Sequence, residues 1–150
     1  MGATPVPPWG RGSHVPGIDE CLLEAMTLPG ARGAAIVDWT SGLALGSVGD
    51  SPNKDHEATA AETSEVARSA AEYRAFVESH DGFPGEVPSD ERLPVEDLLL
   101  STRNGFHVIR FVETSFDSSV FLYLWLDRDT GNLALARIRL RDLSERLVLM

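Results

Sequence analysis

Apolar residues recur along this chain at two different periods, and the switches between those periods mark out its elements. In "GIDECLLEAM" Ile18, Leu22, Ala25 and Met26 fall at spacings of 4, 3 and 1, a helical stripe that Pro29-Gly30 brings to an end. Ala34, Ala35, Ile36 and Val37 then form an apolar run suited to a buried strand, and Leu43 to Val48 form a second. Between them Asp38-Trp39-Thr40-Ser41-Gly42 is rich in residues that bond local backbone or supply positive φ, so the pair reads as an antiparallel hairpin.

"DSPNKD" breaks this pattern, and Asp55 offers an N-cap for a long helix running to about His80. At ~1.5 Å per residue such a helix is roughly 39 Å long. It carries two stripes. Thr59, Thr63, Val66, Ala70, Tyr73 and Val77 recur at 4-3-4-3-4, the spacing one helix needs to meet another. Beside them Ala60, Ala67, Ala71 and Ala75 form a small-residue stripe that permits close approach to a sheet. One buried face would not require both, so the helix is expected to lie between its own sheet and something else.

Beyond a Gly/Pro-rich loop from Asp81 to Pro94 the period becomes that of strands. Leu98 to Thr102 leads into Asn104-Gly105, a strong hairpin signal, and Phe106 to Val112 returns. "FDSS" connects to Val120–Leu126, apolar on both faces and therefore a central strand. A last helix follows, capped by Asp129 or Thr130, with Leu133, Ala136, Leu140, Leu143 and Leu147 as its stripe. The order α-β-β-α-β-β-β-α predicts an α+β fold, a five-stranded antiparallel sheet with helices on both faces. Residues 1–17 hold four of the nine prolines and four glycines with almost no apolar period, so they read as a disordered tail preceding a domain over 18–150.

Composition narrows the function. A chain of 150 residues can bury one core without disulfide or metal support. Cys21 is its one cysteine, which excludes an intrachain disulfide and a Cys-rich zinc site and fits a reducing cytoplasm. No basic stretch precedes an apolar one at the start, and the longest apolar run, Val120–Leu126, is far short of the ~20 residues that span a bilayer. The formal net charge of −10, from 23 acidic against 13 basic residues, makes nucleic acid and anionic membranes poor partners.

No motif supports catalysis or cofactor binding. His56-Glu57 would need a second histidine where Ala60 stands, and His14, His56, His80 and His107 lack ligand spacing. "DRDTGN" (127–132) opens like a calcium loop but has Asn132 at its sixth position and Ile138 at its twelfth, so its acids read as helix-capping groups. Neither a phosphate-binding G-x-x-x-x-G-K-[ST] nor a G-x-S-x-G elbow occurs. Cys21 reads as a small core residue, Arg137, Arg139 and Arg141 as a solvated face, and Asp38 and Ser41 as turn formers.

The element order, with a long second helix between a two-strand and a three-strand unit, resembles the roadblock/LC7 family over about residues 18–148. "PGARGAAIVDWTSGLALG" (29–46) resembles its first helix end and opening hairpin. "VFLYLWLDRDTGNLALARIRL" (120–140) is similar to its last strand and final helix, with Asn132 and Arg137 at positions often seen in bacterial members. The resemblance implies a non-enzymatic protein without cofactor. It further implies dimerisation through edge-to-edge pairing of the third strands with the second helices packed together, making a platform for Ras-like small GTPases or other signalling partners. Carried onto this chain, the expected homodimer interface is Thr59, Thr63, Val66, Ala70, Tyr73, Val77, Leu98, Leu100 and Thr102. An alternative is a profilin- or PAS-like module that binds a small molecule. That would need a cavity between sheet and helix, where Phe106, Ile109, Phe111, Tyr123 and Trp125 read as filling the space.

Overall fold

Strand alternation builds one sheet with two apolar faces, and the helices divide between them. The computed structural model describes residues 17–76, 93–113 and 119–148. The expected tail, apart from Gly17, lies outside the described residues, as do Val77, His80 and the greater part of the 81–94 loop. The elements run α1 (Ile18–Ala25), β1 (Ala31–Asp38), β2 (Leu43–Gly49), α2 (His56–Glu72), β3 (Asp97–Ser101), β4 (Gly105–Val112), β5 (Val120–Asp127) and α3 (Leu133–Val148). The sheet is antiparallel throughout, in the order β2-β1-β5-β4-β3. Its middle strand is β5, whose uninterrupted apolar run from Phe121 to Leu126 is buried on both sides.

On one face α1 and α3 pack Leu22, Ala25, Leu140 and Leu143 against Ile36, Val108, Leu122 and Leu124. An ion pair between Arg146 and Glu24 joins the two helices at the surface. On the other face α2 lays Ala60 and Ala67 against Ala35, Val37 and Trp39. Ser64 completes that small-residue contact by turning its hydroxyl back onto the Ala60 carbonyl, 2.6 Å away.

Three expectations need correction. α2 ends at Glu72, well before His80, because Tyr73 takes extended backbone (φ −75°, ψ 135°). Residues Glu72 to Phe76 are all exposed, so no burial supports continuing the α-helix; the chain makes only a short 3-10 turn over Arg74–Phe76, and the acidic Glu72 sits at the unfavourable end of the helix dipole. Tyr73 and Ala75 therefore leave their helical stripes. The cap of α3 is Asn132, whose Oδ1 accepts from the Leu135 N–H at 3.0 Å; Asp129 and Thr130 instead donate to Asp127 in the preceding turn. The β3–β4 connection is Thr102-Arg103-Asn104, with Gly105 already in β4. A Cβ at Gly105 would stand 2.5 Å from the Leu126 carbonyl oxygen.

Candidate functional site

Because α2 packs on β1 and β2, the β4–β3 half of the same face has no helix over it among the described residues. What remains is a groove of about 310 Å³ between α2 and the sheet margin. Thr59, Glu62, Thr63 and Val66 line it from α2, Leu98, Leu99 and Leu100 from β3, the alternation of the strand giving the side chains of Leu98 and Leu100 to this face, and His107, Ile109 and Tyr123 from the sheet floor. Leu98 stands opposite Ile109, which stands opposite Tyr123, so this row of side chains shares one face.

The floor is a cross-strand ladder of rings. His107 lies nearly parallel to Trp125, at 7° with centroids 6.3 Å apart, and its Nδ1 is 2.8 Å from the Tyr123 hydroxyl. The Arg32 guanidinium covers Trp125 at 3.8 Å from the ring centroid. Burial holds the His107 imidazole below its ordinary pKa and pushes the Tyr123 phenol well above its own. Both groups are thus neutral near pH 7.

The predicted interface residues fall unevenly around this groove. Thr63 and Leu98 are half-buried in its walls, and Val66 and Leu100 are exposed at its lips by 48% and 51%. Thr59 is buried by its own chain, its hydroxyl bonded to the Asn53 side chain at 2.7 Å, and Ala70 is buried as well. Tyr73 is exposed beyond the helix end, Thr102 forms the β3–β4 turn, and Val77 lies outside the described residues. His107 and Tyr123 are floor residues that the interface stripe omitted. The signal was the hairpin itself, since a turn at Arg103-Asn104 sets His107 directly across from Leu100. Phe106 does not belong on that floor and packs with the α1/α3 face.

Other candidates have structural roles. Asp38 Oδ1 accepts from the Thr40 N–H and hydroxyl at 2.9 and 2.6 Å, and Gly42 closes the turn at φ 76°. Burial alone would raise the Asp38 pKa, but hydrogen bonds from Thr40, Ser41 and Ser119 outweigh it and lower the value. Cys21 is buried, its thiol pushed up to about 11 by desolvation. Arg137 pairs with Asp97 at 3.2 Å and Arg141 with Asp142 at 3.9 Å, while Arg139 is exposed. Among the described residues no cluster of three or more His, Cys, Asp or Glu could hold a metal, and no helix is long and apolar enough to cross a membrane.

Solved structures give a clear likeness. MglB of Myxococcus xanthus superposes with a TM-score of 0.68 at 17% identity, covering 89% of this chain and 86% of that one. A roadblock/LC7 domain from Streptomyces avermitilis superposes at 0.61 and 14% identity, covering 86% and 92%. This chain has a roadblock/LC7-like fold. MglC of Myxococcus xanthus is similar at 0.56 and 18% identity, covering 89% of this chain and 98% of that one. No family profile and no curated protein sequence matches the chain. The likeness lies in the overall architecture of a five-stranded antiparallel sheet with three helices.

Proposed function

We propose that this chain is a non-enzymatic scaffold or regulator, which works as a homodimer in the bacterial cytoplasm with a Ras-like small GTPase or an associated signalling protein. The observation that carries this reading is the open half of the sheet. Val66 and Leu100 stand exposed on either side of an apolar groove, and β3 is a margin strand with three leucines in a row. A second copy, with its α2 beside the first α2 and its β3 along the margin, would cover both. The fold's likeness to MglB and MglC supports the reading, as does the absence of any catalytic motif in the sequence. Such a dimer acts by offering a composite surface, and preference for one nucleotide state would shift that GTPase's population.

Light scattering tests the first part, with twice the chain mass expected. A pull-down against GTPases loaded with GDP or GTP tests the second, with one state retained more strongly. A single-chain mass, or indifference to nucleotide state across the GTPases tried, would overturn the corresponding part.

The groove also supports a second reading, a small-molecule module. Its volume is at the lower end for ligand pockets, and the His107 and Tyr123 polar atoms lie on its floor. A saturable ligand-induced thermal shift would favour that reading over the dimer.

A further inference from the structure

The hydrogen-bond phase of β3 fixes which of its backbone groups are open, and this limits how two copies can join. Phe111 donates to the Glu96 carbonyl at 3.0 Å, and Thr102 donates to the Gly105 carbonyl at 2.8 Å. Between these points Asp97 stands opposite Arg110, Leu99 opposite Val108 and Ser101 opposite Phe106. In an antiparallel ladder hydrogen-bonded and non-bonded pairs alternate. Glu96, Leu98, Leu100 and Thr102 therefore bond inward to β4, while Asp97, Leu99 and Ser101 direct N–H and C=O outward. Among the described residues no strand lies beyond them.

The other margin strand, β2, is a poorer template. Its ladder with β1 slips at a bulge between Ile36 and Val37, leaving Leu45 without an opposite number. Bulges of this kind twist an edge away from further pairing. β3 has no such break.

We infer that a second copy of this chain pairs along β3 with the two-fold axis through Leu99, placing each Leu98 opposite the partner's Leu100. This rests on the self-association proposed above and specifies its register. Two antiparallel copies can exchange bonds only between their outward residues, so the axis must pass through a residue and not between two. Centred on Leu99, every leucine meets a leucine: Leu98 and Leu100 continue the groove face, and Leu99 meets its own copy on the opposite face. Asp97, held by Arg137, then faces Ser101. Centring on Leu98 would set Leu100 against Glu96. Centring on Leu100 would set Leu98 against Thr102. Either leaves apolar side chains against polar ones.

Single cysteines read this register directly. The native Cys21 is buried with its pKa pushed up, so it stays silent. Opposed residues lie within disulfide range, about 4.5 to 5.5 Å between Cα atoms, whereas a two-residue offset puts them about 8 Å apart. Under mild oxidation L99C should shift from the single-chain to the double-chain band. L98C and L100C alone should not, yet a mixture of the two should. Self-crosslinking of L98C or L100C in place of L99C would overturn the register while leaving the dimer standing. So would a dimeric mass by light scattering without any crosslink. A single-chain mass for the unmodified protein, with no crosslink anywhere, would overturn the register and the self-association together.

Discussion

The His107 imidazole and the Tyr123 hydroxyl meet at 2.8 Å on neighbouring strands, on the floor of the groove that α2 leaves open. The ring is stacked on Trp125, with Leu100 opposite on β3; among the described lining residues Glu62 on α2 is the charged group across the groove. Desolvation lowers the His107 pKa in the folded chain, so the unfolded chain binds the proton more readily. Its contribution to stability is therefore whole above the ordinary histidine range, about 6.5, and is lost as pH falls through that value toward the lowered one. Urea midpoints for the native protein and His107→Gln, compared between about pH 7.5 and pH 5.5, should show the native chain losing more stability than the variant. Equal losses would show that His107 is not the titrating group.

The α2 cap offers a cleaner magnitude. Asp55 Oδ1 accepts from the N–H groups of Glu57 and Ala58 at 3.0 and 3.2 Å. Asp55→Ala removes both bonds and should cost about 1 kcal/mol in equilibrium denaturation, whereas Asp55→Asn should cost a few tenths. Because α2 forms one wall of the groove, D55A should also weaken the proposed self-association.

Core burial sets the upper end of the scale. Phe121 is fully buried in β5, edge-on to Phe111 with ring centroids 6.5 Å apart. Phe121→Ala should cost about 3–5 kcal/mol, since transfer and cavity terms add. Gly105→Ala should be destabilising without emptying any volume, because its Cβ would collide with the Leu126 carbonyl and press on the Trp125 indole nitrogen. Denaturant midpoints for the two variants check both statements.

These same residues show what could be read from the sequence. The Phe121–Leu126 run announced a central strand because only a strand covered on both faces tolerates apolar residues at every position. Asp55 was legible as a cap because its signal is local. What escaped reading was set by tertiary contact. The end of α2 depends on where burial stops, and nothing within Tyr73-Arg74-Ala75-Phe76 is a helix breaker by itself. Asn132 captured the α3 cap because Asp127 had already drawn Asp129 and Thr130 into its turn. Which half of the sheet α2 covers follows from the fit of Ala60, Ser64 and Ala67 to β1, and periodicity carries no information about that. For this reason the stripe on α2 led to the expectation of a second contact without separating Thr59 and Ala70, which the chain buries itself, from exposed Val66, and it could not place His107 on the groove floor.

Val66 gives the sharpest test of that second contact. It is 48% exposed on the groove lip, whereas Ile138 is 52% exposed on α3, on the opposite face of the sheet. Exposure being nearly equal, Val66→Glu and Ile138→Glu should have similarly small effects on the stability of a single chain. They should differ in assembly. A carboxylate at the lip must be desolvated without a partner if another helix packs there, so V66E should weaken self-association at least about tenfold, equivalent to about 1.4 kcal/mol. I138E should leave it unchanged. Concentration-dependent sedimentation of both variants decides the matter: if I138E dissociates the protein and V66E does not, the contact lies on the α1/α3 side and the groove is not its seat.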